Sequence, residues 1–119
     1  MAQSDILDLS VIENLRALSP DDNNEFFREI AGIFFEDTPQ RLAELHQSLA
    51  AGDAARFSRT AHSIKGSSAN LGATKVSAIA EQLEHRSRKE GLAGLAPLLP
   101  SLRAEYEAAK AELGKLLAP

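Results

Sequence analysis

Residues 53–72 read DAARFSRTAHSIKGSSANLG. Gly52 and Asp53 are a helix-ending glycine followed by a helix-capping aspartate, so a helix starts at Asp53 and runs to Leu71 before Gly72 stops it. On its wheel Ala61, Ile64, Ser68 and Leu71 lie within about 40° of Phe57, which makes one core stripe. His62 falls about 140° from Phe57, away from the core. Its helical neighbours are Ala55, Ser58, Arg59, Lys65, Gly66 and Ala69. Four of these six are small and two are cationic, so the imidazole stands above a low surface with positive charge on either side. Gly66 costs about 1 kcal/mol relative to alanine inside a helix. Close approach of another molecule to the backbone explains it; a packing glycine is the alternative.

The flanking segments also read as helices. Ser10 and Glu13 fit a capping box before Val11, Ile12, Leu15 and Leu18, which predicts a short first helix. Ser19-Pro20-Asp21-Asp22 is a second start signal. The segment from Pro20 to Ala51 contains Pro39, which removes one backbone bond and crowds the Phe35 carbonyl. Two helices, with Thr38 capping the second, are one reading. However, Phe27, Ala31, Phe34, Phe35, Leu42, Leu45 and Leu49 keep a single stripe across the proline, so one helix kinked near Pro39 is preferred. Phe26, Ile30 and Ile33 face the other way and need the short N-terminal helix as a lid.

A fourth helix spans about Thr74 to Glu90, with Val76, Ile79, Ala80 and Leu83 inward and Gly91 at its end. A fifth carries Leu92, Leu95, Leu99, Leu102, Tyr106, Ala109, Leu113 and Leu116 in steps of three and four, with Pro97 and Pro100 disturbing its first turns. Connections of one to three residues force antiparallel neighbours. The expected fold is all-α: an antiparallel up-down four-helix bundle with a short extra N-terminal helix, as one domain over residues 1–119.

Composition agrees. Of 119 residues, 44% are apolar, but only five are Phe, one is Tyr and none is Trp, so Leu and Ala must fill the core. There is no Cys, which excludes disulfides and thiolate metal sites and suits the cytoplasm. No apolar run approaches the roughly 20 residues of a membrane span, and no signal peptide is evident. Residues 1–53 hold eleven acids against three bases, whereas 54–80 hold no acid and carry Arg56, Arg59, Lys65 and Lys75. A net charge of −4 argues against nucleic-acid binding. A basic segment on an acidic chain suits an acidic protein partner.

A histidine so placed can be inert, a metal ligand, a general base or a nucleophile. Metal binding needs more ligands, and neither His46 nor His85 lies one turn away. General-base chemistry needs an orienting acid, and the chain offers none beside His62 and no nucleophile paired with it. As a nucleophile the neutral imidazole could accept a phosphoryl group, whose charge Lys65 is placed to meet. No metal or cofactor is expected.

At this point the motif resembles a known one. HSIKGSSANLG, residues 62–72, is similar to the H-x-x-K-G-x-x-x-x-L-G signature of histidine-containing phosphotransfer (HPt) domains. LAAGDAARFSRTAHSIKGSSANLGA and AEQLEHRSR resemble the third and fourth helices of that family, and the helix order extends the likeness across the chain. The resemblance implies a phosphorelay intermediate of a two-component system, a phosphoryl carrier rather than an enzyme. It would take a phosphoryl group from a receiver-domain aspartate and hand it to another. His62 would be the phosphoacceptor, Lys65 would steady the phosphoryl group, and Gly66 would admit the receiver. Glu84 falls where several members carry a glutamine bonded to the histidine ring. The receivers, in response regulators or hybrid sensor kinases, would bring the carboxylates and the metal. An acidic receiver surface is expected over helices 53–71 and 74–90, touching Gly66, Ala55, Ser58, Arg59 and Ala69, with Leu71 adding contact area. A monomer is expected, whether free-standing or part of a hybrid kinase.

Two alternatives have specific discriminators. Dimerisation domains of sensor kinases place an acid directly after the histidine and a proline soon downstream; here Ser63 follows and the first proline after His62 is Pro97. A non-catalytic helical interaction module, an HPt-like scaffold, would have no reason to keep His62, Lys65 and Gly66 together.

Overall fold

In the structure, a computed structural model, residues 6–18 and 25–117 are described. They form α1 (Leu9–Ala17), α2 (Glu25–Ala51), α3 (Ala54–Asn70), α4 (Thr74–Glu90) and α5 (Leu98–Leu117), with no strand among the described residues. The architecture is the expected one: four long antiparallel helices with α1 laid against α2. Phe27, Phe34, Phe57, Ile64, Leu71, Leu83, Leu102 and Tyr106 are all at most 2% exposed, and they join one core. Burying each such side chain stabilises by roughly 1.5–3 kcal/mol before chain entropy is counted.

α2 runs unbroken through Pro39, and Thr38 lies inside it, 2% exposed, rather than capping a second helix. Proline has no N–H to give the Phe35 carbonyl. The Tyr106 hydroxyl on α5 donates to that oxygen instead, at 3.4 Å, while its ring meets Phe34 edge-on with centroids 5.3 Å apart. Opposite this stripe Phe26 and Ile30 are half-buried, but Ile33 stays 48% exposed, so the lid covers only part of the second face. The Ser19-Pro20-Asp21-Asp22 signal lies outside the described residues.

Three local expectations are corrected. The cap of α1 is Asp8, not Ser10: its carboxylate accepts from the Ser10 backbone N–H at 3.0 Å and from the Ser10 hydroxyl at 2.6 Å. The helix starts two residues earlier than the capping box implied, so an ionised acceptor takes the free Ser10 N–H and Ser10, inside the first turn, becomes a donor. Leu92 and Leu95 are not helical. Residues 91–97 form a seven-residue connection, longer than the predicted one to three, and Leu95 is fully buried within it. Pro97 disfavours helix at the residue before it, so α5 starts at Leu98 and holds Pro100 in its first turn, where a missing N–H costs nothing.

The α3–α4 turn sets how these two helices meet. Gly72 has φ +72°, and a Cβ there would come within 2.7 Å of the Asp8 carbonyl oxygen and 3.2 Å of Val11 Cβ. Asp8 N–H donates to the Gly72 carbonyl at 2.7 Å, which pins the entry to α1 onto the turn. Only glycine meets both the torsion and the crowding. At the other end of α1, Arg16 lies over the Phe27 ring and donates to the Leu116 carbonyl at 3.0 Å, near the C-terminus of α5 where carbonyls lack helical partners.

Candidate functional site

The site is assembled across α3 and α4, which share the most extensive helix contact of the bundle. Phe57, Ala61, Ile64, Ser68 and Leu71 are all buried, as the wheel of α3 requires. The same rotation carries His62 outward, and its side chain is 61% exposed. On α4, Val76, Ala80, Leu83 and Ser87 face the core. Glu84 follows Leu83 by 100° and lands in the seam beneath His62.

Glu84 is the centre of the constellation. Its side chain is 7% exposed and binds three residues. Oε2 accepts from His62 Nδ1 at 2.9 Å and forms an ion pair with Arg88 Nη2 at 3.1 Å; Oε1 accepts from Lys65 Nζ at 2.9 Å. Arg88 is held in turn, because its Nε donates to the Ser58 hydroxyl at 2.7 Å. Burial by itself would raise the Glu84 carboxyl, but the bonds from Lys65 and His62 outweigh it and hold its pKa below the ordinary carboxylate value of 4.5. The carboxylate is therefore ionised at neutral pH. One negative and two permanent positive charges leave the cluster with a single excess positive charge beneath an exposed ring.

This geometry specifies the imidazole tautomer. With Nδ1–H donating to a carboxylate, the lone pair sits on Nε2. Nε2 has no hydrogen-bond partner among the described residues, and the ring carrying it is mostly solvent-exposed. Gly66 lies one turn on, and a Cβ added there would meet no atom within 4 Å. The packing explanation for this glycine is thereby removed, since no neighbouring group needs the room.

The remaining expected contacts divide. Ala55, Arg59 and Ala69 are exposed around the ring. Ser58 is 4% exposed and faces Arg88, and Leu71 is fully buried, so neither contributes to an accessible surface. Ser58 is covered because α4 packs over its side of α3, whereas Leu71 belongs to the core stripe of the wheel itself. The absence of an orienting acid is also corrected: none lies on the histidine's own helix, but Glu84 reaches in from the next one. Arg88 and Ser58 were missed as a pair. The signal was an acid and a base four residues apart on α4, a spacing that places both on one face.

An all-α bundle that sets an exposed histidine, His62, over a buried carboxylate narrows the class of protein considerably. Residues 29–112 match the Hpt domain, and the chain belongs to that family. It is 35% identical over 80 residues to multistep phosphorelay regulator 1 of Schizosaccharomyces pombe, a match covering 67% of this chain and 27% of that protein. It is 27% identical over 102 residues to histidine-containing phosphotransfer protein 2 of Arabidopsis thaliana, covering 83% of this chain and 65% of that protein. The chain thus spans about a quarter of the first relative and just under two thirds of the second. Among solved structures it resembles histidine-containing phosphotransfer protein B from Pseudomonas aeruginosa PAO1, with TM-score 0.86 and 29% identity over 97% of this chain and 96% of that one. The HPT domain of a Shewanella sensor hybrid histidine kinase shares the fold, with TM-score 0.70 at 18% identity over 92% of this chain and 96% of that one.

Proposed function

We propose that this chain, read as one domain over residues 1–119, is a phosphorelay intermediate that accepts a phosphoryl group on His62 from a receiver-domain aspartate and passes it to a second receiver. The observation that carries the reading is the exposed His62 ring with Nδ1 tied to Glu84 at 2.9 Å and Nε2 left free. In the transfer, the Nε2 lone pair forms a P–N bond as the P–O bond to the receiver aspartate breaks. The proton on Nδ1 stays there, and the ring gains positive charge. Glu84 is the positioning residue that offsets this charge, as a carboxylate does for a histidine that becomes cationic in hydrolases. Lys65, 30% exposed and beside the ring, meets the incoming phosphoryl oxygens.

Family membership supports a carrier role. The chain supplies the acceptor, while the receiver supplies its own carboxylates and metal, so the protein is a stoichiometric intermediate rather than an enzyme. Gly66, Ala55, Arg59 and Ala69 form the low rim over which the receiver approaches. The protein acts as a monomer in the cytoplasm, where such receivers work; among the described residues no helix is long and apolar enough to cross a membrane.

The test is acid-labile label transfer from a panel of phosphorylated receivers. Wild type takes up label from at least one, and His62→Gln takes up none while keeping its helicity, because an exposed side chain contributes little to folding. A wild type that stays unlabelled by every receiver would leave only a scaffold role for the domain.

A further inference from the structure

Beside His62, on the side away from α4, a groove of about 250 Å³ lies between α2 and α3, lined by Arg41, Glu44, Arg56, Arg59, Thr60 and Ser63. Three guanidinium groups face one carboxylate there, in a chain whose net charge is −4. The groove already holds a carboxylate. Glu44 accepts from Arg41 at 3.0 Å and pairs with Arg56 at 3.7 Å, while Arg56 also donates to Gln47 at 3.1 Å. Arg59 is exposed and has no charged partner among the described residues. It stands one helical turn before His62, so the groove and the ring share a border.

The geometry points to this groove as an anchor for an acidic side chain of the docking protein, with Glu44 as an internal competitor for the same arginines. The inference rests on the phosphorelay reading for the identity of that protein, a receiver domain. It adds to it a contact on α2, outside the α3–α4 surface, and a sign. Removing Arg59 or Arg41 weakens docking; removing the charge of Glu44 strengthens it, because the intruding carboxylate then meets two arginines released from their ion pair, with only the neutral Gln47 still accepting from Arg56. An anchor of this kind acts through encounter and salt dependence more than through the chemistry of the bound complex.

The experiment measures phosphoryl transfer from the receiver that labels wild type best, at low and high salt, for Arg59→Gln, Arg41→Gln and Glu44→Gln. Each arginine variant is expected to raise KM roughly threefold and Glu44→Gln to lower it by a similar factor, as befits partly exposed charges. All three differences should collapse at high salt. Equal KM values at low salt, or a Glu44→Gln shift in the same direction as the arginine variants, overturns the proposal. A second arm is independent of the relay: hexaglutamate and hexalysine peptides are titrated separately into the unphosphorylated protein, with the arginine Nε–H signals followed by NMR. Shifts at Arg41, Arg56 and Arg59 with hexaglutamate alone support the groove even if no receiver labels His62. No shift with hexaglutamate, or equal shifts with both peptides, overturns it.

Discussion

Pro39 in α2 and Gly66 in α3 are both residues that a helix interior disfavours, and the fold treats them in opposite ways. At Pro39 the lost backbone bond is made good inside the molecule: the Tyr106 hydroxyl from α5 reaches the Phe35 carbonyl that proline leaves without a donor. Buried polar groups need partners, and this one has been given one. At Gly66 there is no compensation. Its position is exposed, and an added methyl would touch nothing. A defect that the core repairs belongs to the architecture; one left open beside an exposed histidine serves no packing, which fits the docking proposed above.

The largest expected effect tests the repaired side. Tyr106→Ala empties a 2% exposed site packed on Phe34 and should lose about 3–5 kcal/mol in chemical denaturation, as for other large aromatic truncations. Phosphoryl uptake per folded molecule should hardly change. Tyr106→Phe is the finer probe. It leaves the Phe35 oxygen unsatisfied and should cost about 1 kcal/mol. In a Pro39→Ala background that cost should shrink, because alanine restores the N–H; a double-mutant cycle with no coupling would refute the repair.

The open side predicts the reverse pattern. Gly66→Ala and Gly66→Gln should both raise stability, by up to about 1 kcal/mol, because each relieves glycine's helix penalty without a clash. The glutamine variant should nevertheless transfer more slowly, through obstruction of the receiver. Lower stability in either variant would return Gly66 to a packing role.

The smallest effect is in acid. The folded pKa of Glu84 lies below its ordinary 4.5, so its contribution to stability is complete above that pH and is lost as pH falls through the lower folded value. Relative to wild type, Glu84→Gln should therefore show a shallower decline in melting temperature below pH 4.5. Parallel curves would mean that Lys65, His62 and Arg88 do not hold the carboxylate in solution as they do here.

Much of this was readable from one chain because helices report locally. The limits of α4, the caps at Asp53 and Gly91, the inward faces and the outward turn of His62 follow from glycine punctuation and the 3.6-residue period. Misreadings arose where a residue's neighbours come from elsewhere in the chain. Asp8 displaced Ser10 as a cap, Ser58 was covered by packing of α4, and Leu95 is buried without being helical. Glu84 was placed beside the ring by resemblance alone, and nothing in its own helix indicates that Lys65 of α3 joins Arg88 on it.

The sequence itself determined the helices, their stripes and the histidine that no stripe could absorb, since backbone bonding and apolar period act over a few residues. Only the tertiary structure decided which groups meet across a seam: Tyr106 with Phe35, Glu84 with His62 and Lys65, and Glu44 with Arg56. Such contacts depend on how two helices are rotated and set against each other, and that is fixed by the packing of the whole core rather than by any one segment.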